Sequence, residues 1–103
     1  MLAALAQPHP NIVPFYGSVR MAGAAWLCME VAEHGSLERL LRSCKRLNYV
    51  FTTAAKAAMC QQIAAAMAAM AAAHVLHRDL ATRNVLVYRL APVLVKVWLR
   101  VGV

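Results

Sequence analysis

Acidic side chains are scarce in this sequence of 103 residues. Lysine and arginine together number 11, whereas aspartate and glutamate number four, so the formal net charge is +7. This excess of positive charge is compatible with a phosphate, a nucleic acid or an acidic membrane as partner, but it selects none of them. Asp79 is the only aspartate, so any chemistry that needs an aspartate carboxylate must use this residue.

Cysteine is also sparse, and a long apolar run is missing. Cys28, Cys44 and Cys60 include no close pair, which excludes a paired disulfide framework and a CxxC zinc site and favours a reducing setting. The longest apolar run, residues 63–73, has 11 residues, whereas a transmembrane helix needs about 20. The short apolar start lacks the basic residues of a secretory signal. We therefore expect a cytoplasmic protein with no transmembrane segment in this chain.

The order of apolar and turn-forming residues predicts an α+β fold. The predicted elements are a hairpin at about 12–31, a short helix at about 36–43, a long helix at about 54–73 and a second hairpin at about 85–97. Ser36 is suited to N-cap the short helix, and Thr52 or Thr53 is suited to N-cap the long one. Pro14 lies within the first predicted strand, residues 12–19, and indicates an edge strand or a bulge.

Each predicted helix has one distinctive face. Larger apolar residues at helical spacing give the long helix a stripe made of Met59, Ile63, Met67 and Met70. A core-facing stripe is the simplest interpretation, and a methionine-rich groove for a peptide is the alternative. A basic cluster of four residues begins within the short helix and continues after it: Arg39, Arg42, Lys45 and Arg46. We interpret this cluster as a solvated face, with a phosphate or partner contact as the alternative.

The residues best suited to chemistry lie between the long helix and the second hairpin. Residues 77–84 read HRDLATRN. Asp79 could accept a proton from a hydroxyl group or bind a hard cation, and Asn84 adds a neutral oxygen suited to Mg²⁺. Arg78 and Arg83 could bind phosphoryl oxygens. The structural alternative is an Asp–Arg ion pair that fixes a turn, with Asn84 bonded to backbone groups.

The order of these letters resembles the catalytic loop of protein kinases, H-R-D-L-x-x-x-N. It is most similar to the tyrosine-kinase form, H-R-D-L-A-x-R-N. Serine/threonine kinases usually carry lysine two residues after the aspartate, where this chain has Ala81, whereas tyrosine kinases usually place a positive charge four residues after it, where this chain has Arg83. The similarity continues, in the family's order, through residues 9–13 (HPNIV), 27–31 (LCMEV), 35–37 (GSL), 84–87 (NVLV) and 95–97 (VKV).

The resemblance implies a fold and a set of roles. Residues 1–103 would form a single partial protein kinase domain, with the end of the small lobe and the hinge in 1–31 and the start of the large lobe in 32–103. Asp79 would be the base that accepts the proton of a substrate tyrosine. Arg83 would help to place the substrate and the phosphoryl group, and Asn84 would hold Mg²⁺.

The remaining roles implied by the resemblance are structural or concern ATP. His77 and Arg78 would be structural residues of the loop. The adenine pocket would be formed by Met29 as gatekeeper, by backbone groups of Glu30 and Ala32, and by Leu86 as the floor. Considered without the resemblance, ordinary core packing is the better interpretation of Met29 and Leu86.

The chain departs from the family pattern where the family binds its principal metal ion. After Val97 the family has a small residue and then Asp-Phe-Gly, whereas this chain has Trp98, Leu99, Arg100 and Val101. The chain also starts after the place of the glycine-rich loop and the phosphate-binding lysine. We therefore predict that the isolated chain does not phosphorylate peptides. We also expect its methionine stripe to be an exposed apolar face.

Three functions compete at this point. The first is the catalytic core of a protein tyrosine kinase that uses ATP and Mg²⁺ on a protein substrate, in the cytoplasm or in the cytoplasmic part of a membrane receptor. The second is a catalytically inactive, pseudokinase-like binding module, which Leu99 favours. The third is a basic nucleic-acid-binding protein. It depends on net charge alone, because no aromatic residues alternate with the arginines, and a nucleic-acid partner is not expected.

Overall fold

Two antiparallel hairpins and two helices form most of the computed structural model, which describes residues 8–99. The elements are β1 (Phe15–Met21), β2 (Ala24–Met29), α1 (Leu37–Arg46), α2 (Thr53–Ala72), β3 (Val85–Leu90) and β4 (Val93–Val97). A 3₁₀ turn at Thr82–Asn84 precedes β3. The predicted α+β class, element order and two-stranded sheets are confirmed. Arg100 and Val101 lie outside the described residues.

The first hairpin is shorter than predicted and has a two-residue turn. Met21 pairs with Ala24, and the two residues between them, Ala22 and Gly23, have φ angles of 53° and 77°. Positive φ at both central residues is the geometry of a type I′ turn, whose twist matches that of paired strands. The prediction that the strand begins at residue 12 is wrong, because Ile12 instead forms a parallel bridge to Val97. Pro14 therefore lies before β1.

Both helices begin at the predicted caps. The Ser36 hydroxyl accepts a hydrogen bond from the Arg39 N–H, and the Thr52 hydroxyl accepts one from the Ala55 N–H, each at 3.1 Å. Each bond satisfies a backbone donor that the first helical turn leaves without a partner. At the other end of α2, His74 has a φ of 58° and the Val75 N–H donates to the Met70 carbonyl at 2.9 Å. This Schellman arrangement ends α2 and leads the chain into residues 77–84.

The core lies between α2 and the second hairpin. Its fully buried side chains are those of Ala66, Met70, Val87, Val95 and Val97. The core-facing interpretation of the methionine stripe is confirmed, and the expectation that the stripe forms an exposed face is wrong, because this face of α2 packs against the core. Large exposed apolar side chains are spread over the described residues, and those of the first hairpin include Tyr16, Met21 and Trp26. The basic cluster of α1 is exposed, as predicted.

The outer edge of β4 is satisfied by groups that are not part of a strand. The Gln62 side chain on α2 accepts a hydrogen bond from the Val95 N–H at 2.8 Å and donates one to the Val93 carbonyl at 2.9 Å. Asn11 donates from its side chain to the Val95 carbonyl at 3.0 Å, and its carbonyl accepts from the Val97 N–H at 2.7 Å. An unpaired strand edge can pair with another chain and favour aggregation. Gln62 and Asn11 occupy the backbone groups at this edge of β4 as a neighbouring strand would.

Neither helix among residues 8–99 combines the length and the hydropathy that crossing a bilayer requires. All three cysteines are free thiols, which agrees with the predicted lack of a disulfide framework.

Replacing Gln62 with alanine should lower the free energy of unfolding by about 2 kcal/mol or more, because buried backbone groups of β4 lose their partners and each such group costs about 1–3 kcal/mol. Gln61 is exposed on the same helix, so Gln61→Ala is the matched control and should change stability by less than about 0.5 kcal/mol. Urea unfolding of the three proteins checks this. Equal midpoints for the two variants would contradict the role of Gln62.

Candidate functional site

The loop of residues 77–84 is fixed at both of its ends. It follows the Schellman turn that ends α2, and it closes in the 3₁₀ turn, where the Asn84 N–H donates to the Ala81 carbonyl at 2.9 Å. Within the loop, Arg78 has a φ of 70°, a left-handed conformation that is uncommon for a residue with a side chain. The Arg78 side chain is exposed.

The imidazole of His77 bonds to two different segments. The Asp79 N–H donates to His77 Nδ1 at 3.1 Å, and His77 Nε2 lies 2.7 Å from the Trp98 carbonyl oxygen. A backbone N–H can only donate, so Nδ1 is the acceptor, and the neutral ring then carries its proton on Nε2 and donates it to Trp98. His77 is buried. The structural role implied for His77 therefore has a concrete form, which is to join the loop to the residues after β4.

The carboxylate of Asp79 lies between a cation and an amide. One oxygen forms an ion pair with the Arg83 guanidinium, and the other accepts a hydrogen bond from the Asn84 side-chain amide at 3.1 Å. The same amide donates to the Asp79 carbonyl at 2.8 Å. Asn84 is buried, whereas the Asp79 side chain is 30% exposed. The carboxylate is therefore held in one orientation and remains accessible to a hydroxyl group from solvent.

These contacts include those of the structural alternative. The Asp79–Arg83 ion pair fixes the loop, and Asn84 satisfies a backbone carbonyl, as that interpretation predicted. The ion pair by itself contributes little to stability, because both side chains are partly exposed to solvent and exposed pairs are worth about 0–1 kcal/mol. The geometry thus brings Asp79, Arg83 and Asn84 together, and proton acceptance by Asp79 remains a prediction.

The predicted hinge residues form a second group, beside β3. Met29 ends β2 opposite Phe15, and Glu30 contacts the second hairpin through its carboxylate, which lies 2.6 Å from Lys96 Nζ. Ala32 precedes a segment that pairs with β3, since the His34 N–H donates to the Val87 carbonyl at 3.2 Å. Leu86 lies opposite Lys96 on β4 and forms an isolated bridge with Ser36.

Sequence reasoning missed two residues at this hinge. The Tyr88 hydroxyl donates to the Glu30 carbonyl at 3.3 Å, and Lys96 Nζ lies 4.7 Å from the centre of the Tyr88 ring. Burial, together with the negative charge of Glu30, raises the pKa of Tyr88 to about 12. The alternation of side chains along a strand could have placed Tyr88 on the same face as Leu86, but its contact with Glu30 had no local signal.

Comparison with known proteins decides the family. The family model for protein tyrosine and serine/threonine kinases matches residues 1–97. This chain belongs to the protein kinase family. Kinases of both specificities resemble it: ephrin type-B receptor 2 of Gallus gallus is 37% identical over 79 residues, and serine/threonine-protein kinase PLK4 of Aedes aegypti is 32% identical over 78 residues. Tyrosine-protein kinase sid-3 of Caenorhabditis elegans is 36% identical over 81 residues.

These alignments cover most of this kinase chain and little of each relative. They include 77%, 76% and 79% of this chain but only 8%, 10% and 6% of the ephrin receptor, PLK4 and sid-3, respectively. The family is therefore shown, whereas the activity and the substrate of this particular protein are matters of proposal.

The donor groups near the loop do not fit the Mg²⁺ ion that kinases generally use. Within residues 8–99 no group of three or more His, Cys, Asp or Glu side chains could hold a metal ion. The Asp79 carboxylate is engaged by Arg83 and Asn84. Leu99, where the resemblance predicts a metal-binding aspartate, is apolar and only 3% exposed. Because Mg²⁺ demands several oxygen ligands in near-octahedral geometry, this set is too poor in oxygen to hold it.

Manganese titration followed by NMR checks this conclusion, because paramagnetic Mn²⁺ broadens the signals of nearby nuclei. We expect no site-specific broadening of the Asn84 side-chain amide in the natural chain at millimolar Mn²⁺. Leu99→Asp should introduce such broadening by adding a carboxylate, whereas Leu90→Asp, at an exposed position of β3, should not. Saturable broadening of the Asn84 amide in the natural chain would contradict the poor fit.

Proposed function

We propose that this chain provides the part of a protein tyrosine kinase active site that orients and deprotonates the substrate hydroxyl. Asp79 would orient the hydroxyl of a substrate tyrosine and accept its proton. The observation that carries the proposal is the fixed yet partly exposed Asp79 carboxylate, held by Arg83 and Asn84 in a loop that His77 anchors. A general base must lie within hydrogen-bond reach of the hydroxyl that it deprotonates, and the Asp79 side chain is 30% exposed.

The choice of tyrosine over serine or threonine depends on the two positions after Asp79 that differ between the kinase classes. Ala81 leaves room where serine/threonine kinases usually carry lysine, and Arg83 supplies the positive charge instead. The ion pair keeps that guanidinium beside the carboxylate, where it would help to place the substrate and the incoming phosphoryl group. Relatives of both specificities match the chain, so the specificity itself is part of the proposal.

The partners follow from this function. ATP would bind between Met29, the hinge backbone of Glu30 and Ala32, and Leu86, and the phosphoryl acceptor would be a protein tyrosine. The protein would act in the cytoplasm or as the cytoplasmic part of a membrane receptor. Nucleic acid is not a proposed partner, because the exposed basic cluster on α1 has no interleaved aromatic side chains to stack on bases.

A second function, a pseudokinase-like binding module, is favoured by Leu99. Its side chain is buried where a metal-binding aspartate would be needed, and Mg²⁺ is what neutralises the charge that develops during phosphoryl transfer. A chain that keeps the loop geometry without this carboxylate could bind a protein tyrosine or a nucleotide and transfer nothing.

The chain on its own should not phosphorylate protein, because it lacks the carboxylate at position 99. Incubation with labelled ATP, Mg²⁺ and a tyrosine-containing copolymer should leave incorporation at the level of the protein-free control. Incorporation that Asp79→Asn abolishes would contradict this prediction and would show that Leu99 is tolerated.

Two grafts into an active tyrosine kinase domain, such as that of ephrin type-B receptor 2, separate the two functions. A graft of residues 77–84 should retain kcat within about 10-fold, and Asp79→Asn in that graft should lower kcat by about 10²–10⁴-fold, as loss of a general base does. A graft of residues 95–99 should abolish turnover. If the loop graft is inactive although it is folded, the proton-accepting role of Asp79 is wrong and the binding module remains.

A further inference from the structure

Every polar group of Glu30 is engaged within the protein. Its N–H donates to the Pro14 carbonyl at 3.3 Å, its carbonyl accepts from the Tyr88 hydroxyl at 3.3 Å, and its carboxylate pairs with Lys96. Two of these three partners lie on the second hairpin, 58 and 66 residues further along the chain. A ligand that recognises the backbone of Glu30 must therefore share or displace one of these bonds.

Tyr88 is held in this position from several sides. Lys96 lies against the face of its ring, and the Lys96 side chain is only 14% exposed, a setting in which a cation–π contact is strengthened by desolvation. The Tyr88 phenol, whose pKa burial and Glu30 raise to about 12, is protonated at neutral pH. The hydroxyl is therefore a donor, and the Glu30 carbonyl is the acceptor that it uses.

Ala32, the other hinge residue assigned to ATP, offers a backbone donor but no unengaged backbone acceptor. The Ala32 carbonyl accepts a hydrogen bond from the Gly35 N–H at 3.1 Å, whereas the Ala32 N–H has no acceptor among residues 8–99. A purine with an acceptor nitrogen can use this N–H. Adenine also carries an amino group, which is a donor, and this group needs a carbonyl such as that of Glu30.

We propose that Tyr88 determines base specificity by occupying the Glu30 carbonyl, so that this protein binds purine nucleotides with little preference for the amino group of adenine. This inference rests on the proposed function, because it concerns the nucleotide site assigned there to Glu30 and Ala32. The Tyr88 hydroxyl takes the place of the adenine amino group as the donor to the hinge.

The size of the effect follows from the bond that is lost. A neutral hydrogen bond at a binding site changes affinity by roughly 2- to 10-fold. A carbonyl oxygen has two lone pairs, so the proposal also requires that the Tyr88 hydroxyl blocks the approach of the amino group to the second one.

Two ligands that differ only in the amino group test the proposal. Calorimetric titrations of the full chain with ATP and with purine riboside triphosphate, which lacks the amino group, give the two affinities for each protein. Tyr88→Phe removes the hydroxyl and keeps the ring beside Lys96. Tyr49→Phe removes an exposed phenol from the segment between the two helices and is the matched control. Tyr88→Met is a second variant that also lacks the hydroxyl, and circular dichroism confirms the fold of each protein.

The natural chain and Tyr49→Phe should bind both nucleotides with affinities that agree within about 2-fold. Tyr88→Phe and Tyr88→Met should bind ATP roughly 2- to 10-fold more tightly and the purine analogue unchanged. If ATP is preferred to the same extent by all four proteins, the specificity proposal is wrong and the nucleotide site stands. If no protein binds either ligand, the proposed nucleotide site is wrong and the specificity proposal fails with it.

Discussion

The candidate site depends on the position of one buried imidazole. His77 accepts a hydrogen bond from the Asp79 N–H on one side and contacts the Trp98 carbonyl on the other, so it connects the loop after α2 with the residues after β4. The Trp98 N–H in turn donates to the Asn84 carbonyl at 2.7 Å. These bonds place the backbone of Asp79 and Asn84, and only then can the two side chains meet each other and Arg83. A different ring orientation would release both segments together.

The surrounding fold supplies rigidity to this arrangement. The core between α2 and the second hairpin fixes the positions from which the loop starts and to which it returns, and the side chains of Gln62 and Asn11 complete the edge of β4 that leads to Trp98. The same hairpin holds Glu30 through Tyr88 and Lys96. The residues predicted to bind and deprotonate the substrate hydroxyl and those predicted to bind the nucleotide are therefore both positioned by β3 and β4. Leu99, where the resemblance predicts a metal-binding aspartate, lies two residues after β4 ends.

Local signals predicted much of this structure, and contacts between distant residues account for most of what was missed. The caps at Ser36 and Thr52, the helices and the proximity of Asp79 to Asn84 follow from neighbouring residues. The start of β1 was wrong because Ile12 pairs with Val97, 85 positions away, and no local pattern reports such pairing. Helical spacing also predicted the core-facing methionine stripe, and only the further expectation that this face is exposed was wrong, because the second hairpin covers it. The link from Tyr88 to Glu30 likewise joins residues 58 positions apart.

The protonation of the His77 ring tests the central claim most directly. Nitrogen NMR distinguishes a protonated ring nitrogen from one that accepts a hydrogen bond, and the exposed His74 provides a reference in the same molecule. The account predicts that neutral His77 carries its proton on Nε2, with Nδ1 as the acceptor from Asp79. A proton fixed on Nδ1 would contradict the account, because the bond to the Asp79 N–H could not exist and the loop would have lost its anchor.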